Sequence, residues 1–372
     1  MSHKPNILYF DITFLENTSG IGRDSRTLLN IFQSQIYLEV VLIDPLVYKF
    51  PHLKIINKGL LKSVKKLIYA ISTLLNRPLK IKLPANSFYF QSQASTIVVT
   101  GDNVYQILRV HDLFPITNPE WFKWHTRRSF ILGMRHVAKK HLFLCNSRTT
   151  LTSLEKTGFI SLGDKEAIVL HCSPIIPPSK FCGVCNYCTS GSHPRRYFLA
   201  LSTIEPRKNY EFILNAWREQ NGTRNDKLGK YLIIVGKLGW KSKGLKKMLQ
   251  SEHHSNIIWI PKCCDQGVRE LLKNSIALIS ASFNEGYNLP PGEALLAGTS
   301  IILSDIQIHR EIYGGWAKFF PLQENLVLKN FLKEELKIST EDVEKNLISF
   351  RKTNAINHSN AISQLSSYLD KI

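Results

Sequence analysis

The sequence predicts an α/β protein with two doubly wound, Rossmann-like domains. Short β-branched runs alternate with helical patterns from one end of the 372-residue chain to the other, as expected for doubly wound sheets. Several of these runs are continuously apolar, which is typical of parallel strands covered on both faces. A stretch rich in proline and glycine, residues 174–196, separates two halves of comparable length and predicts a linker. We therefore expect two similar domains that face a cleft.

Candidate strands occur in both halves of the chain. In the first half they are residues 7–11, 38–43, 96–100, 104–111, 142–145 and 167–170. In the second half they are residues 197–201, 231–235, 257–260, 276–280 and 300–303. The predicted organisation is a first domain at 1–173, the linker at 174–196, a second domain at 197–350 and a C-terminal helix at 351–372.

Composition excludes several classes of protein. Apolar residues make up 44% of the chain and charged residues 21%, which excludes a disordered or collagen-like protein. No apolar run reaches the ~18 residues that a membrane-spanning helix needs, and the N-terminus lacks the apolar stretch of a secretory signal. Seven cysteines, an odd number, then indicate reduced thiols and a cytoplasmic location.

Positive charge is concentrated in one segment of a chain whose formal charge is +19. Residues 45–101 contain nine Lys or Arg and no Asp or Glu. This asymmetry indicates an anionic partner, such as a membrane surface, a phosphorylated lipid or nucleic acid. Nucleic acid is not expected, because the sequence contains no DNA- or RNA-binding motif. We therefore predict a protein that is peripheral at the inner face of the membrane.

Residues 58–76 predict an amphipathic helix within this basic segment. At about 100° per residue, its aliphatic side chains fall within one arc. The basic side chains that cluster on the opposite side are Lys58, Lys62, Lys65 and Lys66. The ordinary interpretation is that the apolar arc packs on the domain core. The positive charge suggests a second interpretation, in which the helix contacts an anionic membrane leaflet.

Two motifs follow strands in the first half. The segment SGIGR at 19–23 opens a helical pattern, where Gly20 and Gly22 would let backbone N–H groups approach a phosphate. The third glycine of a dinucleotide fingerprint is missing, so a plain tight turn explains this segment equally well. His111 stands with Asp112 at a strand end, where open α/β sheets bind ligands. The alternative is a histidine whose partners are backbone groups.

Two further motifs follow strands in the second half. In STIEPRKN at 202–209, Arg207 and Lys208 suit a diphosphate, although adjacent loop cations are often merely solvated. In EGYNLPPGEA at 285–294, seven residues separate Glu285 from Glu293. Two carboxylates so placed can face one ligand and accept hydrogen bonds from vicinal hydroxyls. A role at the helix dipole would explain Glu293 but not Glu285 equally well.

A cysteine cluster lies in the predicted linker. Cys182, Cys185 and Cys188, together with His193, have spacing that matches a structural zinc or iron–sulfur site. Three ligands so close together would strain one tetrahedral site. We therefore favour an incidental group of reduced thiols over a metal site.

The four strand-end motifs, in this order, resemble those of the retaining glycosyltransferases of family 4, the group 1 glycosyl transferases with the GT-B fold. EGYNLPPGEALLAGTSIILSD contains the family's Glu–seven residues–Glu motif. STIEPRKN, SGIGR and RVHDLFPITNPEWF are similar to its diphosphate loop, glycine loop and histidine segment. The resemblance covers residues 5–315. Two departures are Asn288, where glycine is common, and the Ser-Thr pair at 202–203, where Gly-Arg is common.

The resemblance implies a role for each matching residue. Glu285 would contact hydroxyls of the donor sugar, Arg207 and Lys208 would hold the diphosphate, and His111 would lie beside the sugar. The residues that would bind the donor are Gly20, Gly22, Gly286, Tyr287, Asn288, Leu289 and Glu293, the last of these at the ribose. No metal cofactor is expected, since the basic pair and helix N-termini would replace it.

The resemblance also implies a substrate class. The EPRKN variant is similar to bacterial mannosyltransferases of surface-polysaccharide synthesis, which favours GDP-mannose as donor and a glycan or lipid-linked glycan as acceptor. The expected function is sugar transfer with retention in polysaccharide or lipopolysaccharide synthesis. Two alternatives remain: another GT-B enzyme such as a glucan or sucrose-type synthase, and a catalytically silent lipid- or polysaccharide-binding module on the same fold.

Overall fold

The chain divides into two compact units, Met1–Ser173 with Asn357–Ile372, and Pro174–Ile356. The computed structural model describes residues 6–17, 19–35, 38–55, 57–137, 140–160, 167–175, 194, 196–221, 229–240, 242–250, 256–334 and 340–369. Each unit carries its own parallel sheet. Among the described residues, no helix combines the length and the apolarity needed to cross a membrane.

The first unit is built on a six-stranded parallel sheet. The described strands of this unit are β1 (Asn6–Asp11), β2 (Leu38–Ile43), β3 (Leu79–Lys82), β4 (Phe88–Gln91), β5 (Ile97–Thr100), β6 (Tyr105–Val110), β7 (Lys140–Cys145) and β8 (Ala167–Val169). The order in the sheet is β2-β1-β4-β6-β7-β8, while β3 and β5 pair in a separate two-stranded sheet. The predicted strand at 96–100 therefore lies outside the main sheet. Strands β4 and β6 lie at the centre of the sheet, and the four residues of β4 are all buried and show no alternation.

Helices connect the strands of the first unit. They are α1 (Gly20–Gln33), α2 (Pro45–Lys49), α3 (Lys58–Leu74), α4 (Phe114–Thr117), α5 (Trp124–Arg135) and α6 (Arg148–Lys156), with 3-10 turns at Pro51–Ile55 and Pro119–Trp121. Side-chain caps begin several of them, because Asp44, Asn57 and Ser147 each accept hydrogen bonds from backbone N–H groups of the first turn. In the core, Phe10 of β1 stacks on Phe90 of β4 at 4.5 Å between ring centroids.

The second unit has the strand order of a Rossmann sheet. Its strands are β9 (Tyr197–Leu201), β10 (Tyr231–Val235), β11 (Ile257–Ile260), β12 (Ala277–Ser280), β13 (Ser300–Ser304) and β14 (Ala317–Phe320). They are arranged β11-β10-β9-β12-β13-β14, so the direction of winding reverses between β9 and β12. Ligands of such sheets bind beyond the carboxyl ends of the strands at this reversal.

The helices that cover the second sheet pack on a large apolar core. They are α7 (Tyr210–Asn221), α8 (Lys243–Gln250), α9 (Asp265–Asn274), α10 (Leu289–Leu296), α11 (Gln307–Tyr313), α12 (Leu326–Lys333) and α13 (Thr340–Leu369). Trp217 of α7 is fully buried in this core against Phe198 of β9. Helix α13 begins at Thr340 rather than at the predicted 351, and its final residues, from Asn357, belong to the first unit.

Helix α3 corrects one expectation about packing. The predicted helix is present, but its apolar arc does not lie on the core. Leu60, Leu67 and Leu74 are each about 60% exposed, whereas Ser72 and Thr73 are buried. The opposite side packs instead: it carries Ser72 and Thr73, which are buried, and Lys65, which pairs with Asp44.

Candidate functional site

The second unit gathers its predicted site residues at the reversal of its sheet. Arg207 and Lys208 form a 3-10 turn after β9, and Glu285 follows β12. Since β9 and β12 are adjacent parallel strands, their carboxyl ends lie at the same edge and bring these loops together. A backbone hydrogen bond of 2.9 Å from Phe283 N–H to the Arg207 carbonyl joins the two loops directly.

Glu285 is a buried, ionised carboxylate held by two cations. Its Oε2 accepts from Arg207 Nη1, and its Oε1 accepts from Lys208 Nζ at 2.5 Å and from Ser282 Oγ at 2.7 Å. Burial raises the pKa of this carboxyl, but the two neighbouring cations outweigh burial and hold the pKa at about 2. The side chain is therefore fully charged at neutral pH, with its position fixed by three donors.

Arg207 has a second carboxylate partner, Glu205, which was not among the site residues predicted from the sequence. Its Nη2 donates to Glu205 Oε1 at 2.9 Å, and its Nη1 also donates to the Asn284 carbonyl at 2.9 Å. Burial raises the pKa of Glu205 despite the neighbouring arginine. The cluster of Glu205, Arg207, Lys208 and Glu285, called here the Glu285 cluster, thus combines two acids and two bases.

Asn288 connects the Glu285 cluster to a buried histidine. Its backbone is left-handed at φ 70°, a conformation that asparagine tolerates, so the departure from glycine leaves the loop intact. Its Nδ2 donates to His309 Nε2 at 2.9 Å, and its Oδ1 lies 3.5 Å from Lys208 Nζ. His309 donates from Nδ1 to the Ser304 carbonyl at 2.8 Å, and burial lowers its pKa to about 4, so the ring is neutral.

The remaining predicted donor residues line the same loop and helix. Gly286 and Tyr287 are buried beside Glu285, and Leu289 begins helix α10. Glu293 lies within α10 and is only 2% exposed. Contact of Glu293 with a ribose stays a prediction, as do the donor contacts of the loop.

In the first unit, the glycine loop and the histidine segment line one small pocket. The pocket has a volume of about 20 Å³, and Ile21, Arg109, His111 and Asp112 are among its lining residues. His111 Nε2 donates to the Ser92 carbonyl at 3.1 Å, and burial lowers the pKa of His111 to about 4. His111 is therefore neutral. Its hydrogen bond to a backbone carbonyl fits a histidine with a structural role, and its place in the pocket fits a histidine that contacts a ligand.

Gly22 has a structural reason to be glycine. A Cβ at this position would lie 1.8 Å from the carbonyl oxygen of Asn17. Helix α1 therefore approaches the loop before it more closely than any larger residue allows. A phosphate contact at Gly20 or Gly22 stays a prediction.

A buried ion pair lies behind this pocket. Arg109 donates to both oxygens of Asp24, at 2.8 and 3.0 Å, and to the Leu170 carbonyl at 2.7 Å. Asp24, His111 and Cys172 also lie close enough together to hold a metal ion. The positively charged guanidinium of Arg109 already binds both oxygens of Asp24 and lies 3.4 Å from Cys172 Sγ. These three side chains therefore do not fit a metal cation. The candidate ligands Cys182, Cys185, Cys188 and His193 lie outside the described residues.

Comparison with protein families identifies the second half of the chain. Residues 190–330 match the family described as Glycosyl transferases group 1. The chain carries a glycosyl transferases group 1 domain. This domain contains all four members of the Glu285 cluster together with Glu293, and the predicted family resemblance is confirmed.

Two relatives of the chain are mannosyltransferases by name. Serotype-specific mannosyltransferase WbdA of Escherichia coli is 25% identical over 228 residues, 57% of this chain and 27% of WbdA. O-antigen chain mannosyltransferase RfbU of Salmonella typhimurium is 26% identical over 211 residues, 56% of this chain and 54% of RfbU. The chain thus spans about a quarter of WbdA and about half of RfbU.

Solved structures of low identity match the chain over nearly its whole length. HepE of Anabaena in complex with UDP has a TM-score of 0.58 at 14% identity, and the match covers 97% of this chain and 100% of HepE. Trehalose-6-phosphate synthase OtsA has a TM-score of 0.61 at 10% identity and covers 99% of each chain. These similarities show the fold alone, and the predicted GT-B fold class is confirmed.

Proposed function

We propose that the protein is a retaining glycosyltransferase that moves mannose from GDP-mannose to a glycan or lipid-linked glycan in surface-polysaccharide synthesis. The observation that carries the proposal is Glu285, a charged carboxylate buried between Arg207 and Lys208 at the reversal of a Rossmann sheet. A buried ion cluster adds little net stability over apolar residues of the same volume, so stability alone does not account for these charges. Its position and polar groups suit a nucleotide-sugar donor.

In the proposed reaction, the bond between the sugar anomeric carbon and the diphosphate oxygen breaks. Arg207 and Lys208 stabilise the negative charge that develops on the leaving diphosphate. The acceptor hydroxyl oxygen bonds to the anomeric carbon from the same face, and its proton passes to the leaving phosphate oxygen. Glu285 accepts hydrogen bonds from the sugar hydroxyls and orients the ring.

The mannose donor is supported by the names of WbdA and RfbU, both mannosyltransferases. The bound UDP and UDP-glucose in HepE structures support a second candidate donor, a UDP-sugar. We propose that no metal ion is required, because Arg207 and Lys208 supply two positive charges where a metal would act. We also propose a cytoplasmic location, in which the buried thiols of Cys145 and Cys172 would stay reduced.

The decisive experiment measures nucleotide release from GDP-mannose, UDP-glucose and dTDP-glucose, with and without EDTA. We expect release from GDP-mannose that survives EDTA and falls by ~100-fold or more in the Glu285→Gln variant. Asp305→Asn, which removes an exposed carboxylate paired with Arg310 in the same unit, is the matched control. Release from none of the donors would favour the silent binding module, and release from UDP-glucose alone would favour the second donor.

A further inference from the structure

Helix α11 holds Asn288 at two points. His309 and Tyr313 are four residues apart on this helix, so their side chains lie on the same face, and both are fully buried. His309 Nε2 lies 2.9 Å from Asn288 Nδ2, and the Tyr313 hydroxyl donates to the Asn288 carbonyl at 2.6 Å. One helix thus holds both the side chain and the left-handed backbone of the residue that precedes α10.

The tautomer of His309 follows from its partners. The Ser304 carbonyl can only accept, so His309 Nδ1, which lies 2.8 Å from it, carries a proton. Burial lowers the pKa of His309 to about 4, so the ring is neutral and its other nitrogen, Nε2, has no proton. Nε2 therefore accepts from Asn288 Nδ2, and the amide oxygen of Asn288 is left to face Lys208 Nζ, 3.5 Å away.

The same orientation of the amide is required from the Glu285 end. The Glu285 carboxylate can only accept, and Ser282 Oγ donates to it at 2.7 Å. Ser282 Oγ then accepts from Ser280 Oγ at 3.2 Å, and Ser280 Oγ accepts from Asn288 Nδ2 at 3.1 Å. The two hydrogens of the Asn288 amide are thus divided between Ser280 and His309, which leaves only its oxygen for Lys208.

The reversed amide would bring two donors together. With Nε2 protonated, Asn288 would turn its oxygen to the imidazole ring and its NH₂ group to the Lys208 ammonium. Neither group can accept a hydrogen bond, and an unsatisfied donor is costly in a buried place. The acceptor nitrogen of His309 therefore decides which end of the amide Lys208 meets.

We propose that His309 is a positioning residue, which holds the amide oxygen of Asn288 towards Lys208, while Tyr313 holds the Asn288 backbone. Because Lys208 also donates to Glu285, its ammonium lies between two fixed acceptors. A cation held in this way needs little rearrangement to bind a diphosphate. The link to a diphosphate rests on the proposed function, whereas the orientation of the amide does not.

Two variants of His309 each keep the function of one ring nitrogen. In His309→Gln, the longer side chain places its amide near the position of Nε2 and can still accept from Asn288. In His309→Asn, the shorter side chain places its amide near the position of Nδ1, where it can donate to Ser304 but does not reach Asn288. Both variants replace the ring by an amide, so a role in packing alone predicts similar losses from the two.

The first measurement is hydrogen exchange of the Asn288 side-chain amide, followed by NMR with nitrogen-15 asparagine. Its signal is assigned by its absence from Asn288→Gly. We expect slow exchange in the wild type and in His309→Gln, and about tenfold faster exchange in His309→Asn. This measurement needs no nucleotide.

The second measurement is the affinity for GDP by titration calorimetry. We expect His309→Asn to bind about tenfold more weakly than the wild type, and His309→Gln to stay within about threefold of it. Tyr313→Phe should weaken binding by about fivefold, because it frees the Asn288 carbonyl. The matched control is Tyr197→Phe, which removes an equally buried hydroxyl that donates to the Leu271 carbonyl at 2.8 Å and should leave GDP affinity unchanged.

The outcomes separate the positioning role from packing and from the proposed function. Equal exchange of the Asn288 amide, or equal GDP affinity, in the two His309 variants would overturn the positioning role. If His309→Asn does not fold, the tyrosine pair decides, and equal GDP affinity of Tyr313→Phe and Tyr197→Phe would overturn it. A wild type that binds neither GDP nor UDP would overturn the proposed function, and exchange of the Asn288 amide would still decide the role of His309.

Discussion

Replacing Glu285 by glutamine removes one buried negative charge and nearly keeps the shape of the side chain. The carboxylate is 5% exposed and accepts hydrogen bonds from Arg207, Lys208 and Ser282. Burial raises its pKa, but the two cations outweigh burial and lower the pKa from 4.5 to about 2. This difference corresponds to about 3 kcal/mol of folded-state stabilisation by the ionised form.

The pH dependence follows from the sign of that difference. Because the pKa of Glu285 is lower in the folded state, its stabilisation is complete above about pH 5 and is lost as the pH falls from 4.5 towards 2. We expect Glu285→Gln to lower the free energy of unfolding by up to about 3 kcal/mol at neutral pH. This deficit should shrink by about 1–1.5 kcal/mol near pH 3.5.

The assay is urea unfolding, followed by circular dichroism at a series of pH values. Asp305→Asn serves as the control, because it breaks an ion pair with Arg310 that is exposed on both sides and should not change stability measurably. Equal stability of the Glu285→Gln variant and the wild type at neutral pH would refute the reasoning. A deficit that stays constant down to pH 3.5 would refute it equally.

The remaining predictions concern backbone space, buried charge and the left-handed loop. Gly22→Ala places a Cβ 1.8 Å from a backbone carbonyl oxygen and should lower the melting temperature. Gly244→Ala has open space around its Cβ and should raise the free energy of unfolding by about 0.5–1 kcal/mol. Equal melting temperatures of the two variants would contradict this prediction. Arg109→Met strands the buried carboxylate of Asp24 and should cost about 3–5 kcal/mol in urea unfolding, so wild-type stability would argue against the pair. Asn288→Gly keeps the left-handed backbone but removes an amide that lies beside Lys208 and pairs with the buried His309, so we expect a higher donor KM and a lower melting temperature; an unchanged KM would contradict the link to Lys208.

Hydrophobic patterns predicted most strands but not their partners. The continuous apolar runs of β9 to β13 are visible because parallel strands covered on both faces contain little else. Strand β4 is four residues long and buried throughout, so it has no alternation to distinguish it from a loop. The pairing of β5 with β3 rather than with the main sheet depends on tertiary contacts that no local pattern encodes.

Helix α3 shows a second limit of prediction from hydrophobic periodicity. Periodicity locates an apolar arc, but it does not say whether the protein itself or another partner covers that arc. Here the buried side is set by the pair between Lys65 and Asp44 and by two small hydroxyl side chains, Ser72 and Thr73. None of these residues has the character of a core residue in the sequence.

The site was predictable in its motifs but not in its contacts. Arg207 and Glu285 each follow a strand, and knowledge that β9 and β12 are adjacent would have brought them together. Glu205 stands two residues before Arg207 in the same loop, where a carboxylate near a cation is a usable signal. No sequence signal identifies His309, because its link to the Glu285 cluster through Asn288 exists only in three dimensions.

The charges of the Glu285 cluster have a consequence for donor binding, if the proposed diphosphate contacts are made. The cluster pairs two acids with two bases and is neutral as a whole. A diphosphate that binds to Arg207 and Lys208 adds negative charge in a buried place, which raises the pKa of each neighbouring carboxyl group. Burial already raises the pKa of Glu205, whereas that of Glu285 is held at about 2.

We therefore expect Glu205 to take up a proton when the donor binds, while Glu285 stays ionised to accept the sugar hydroxyls. We expect titration calorimetry with GDP, near neutral pH, to give heats that differ between buffers of different ionisation enthalpy, with net proton uptake. In the Glu205→Gln variant the amide can still accept from Arg207 but cannot titrate, so its binding heats should be the same in all buffers. Buffer-independent heats in the wild type would show that Glu205 stays ionised, and that the cluster admits the diphosphate without neutralising an acid.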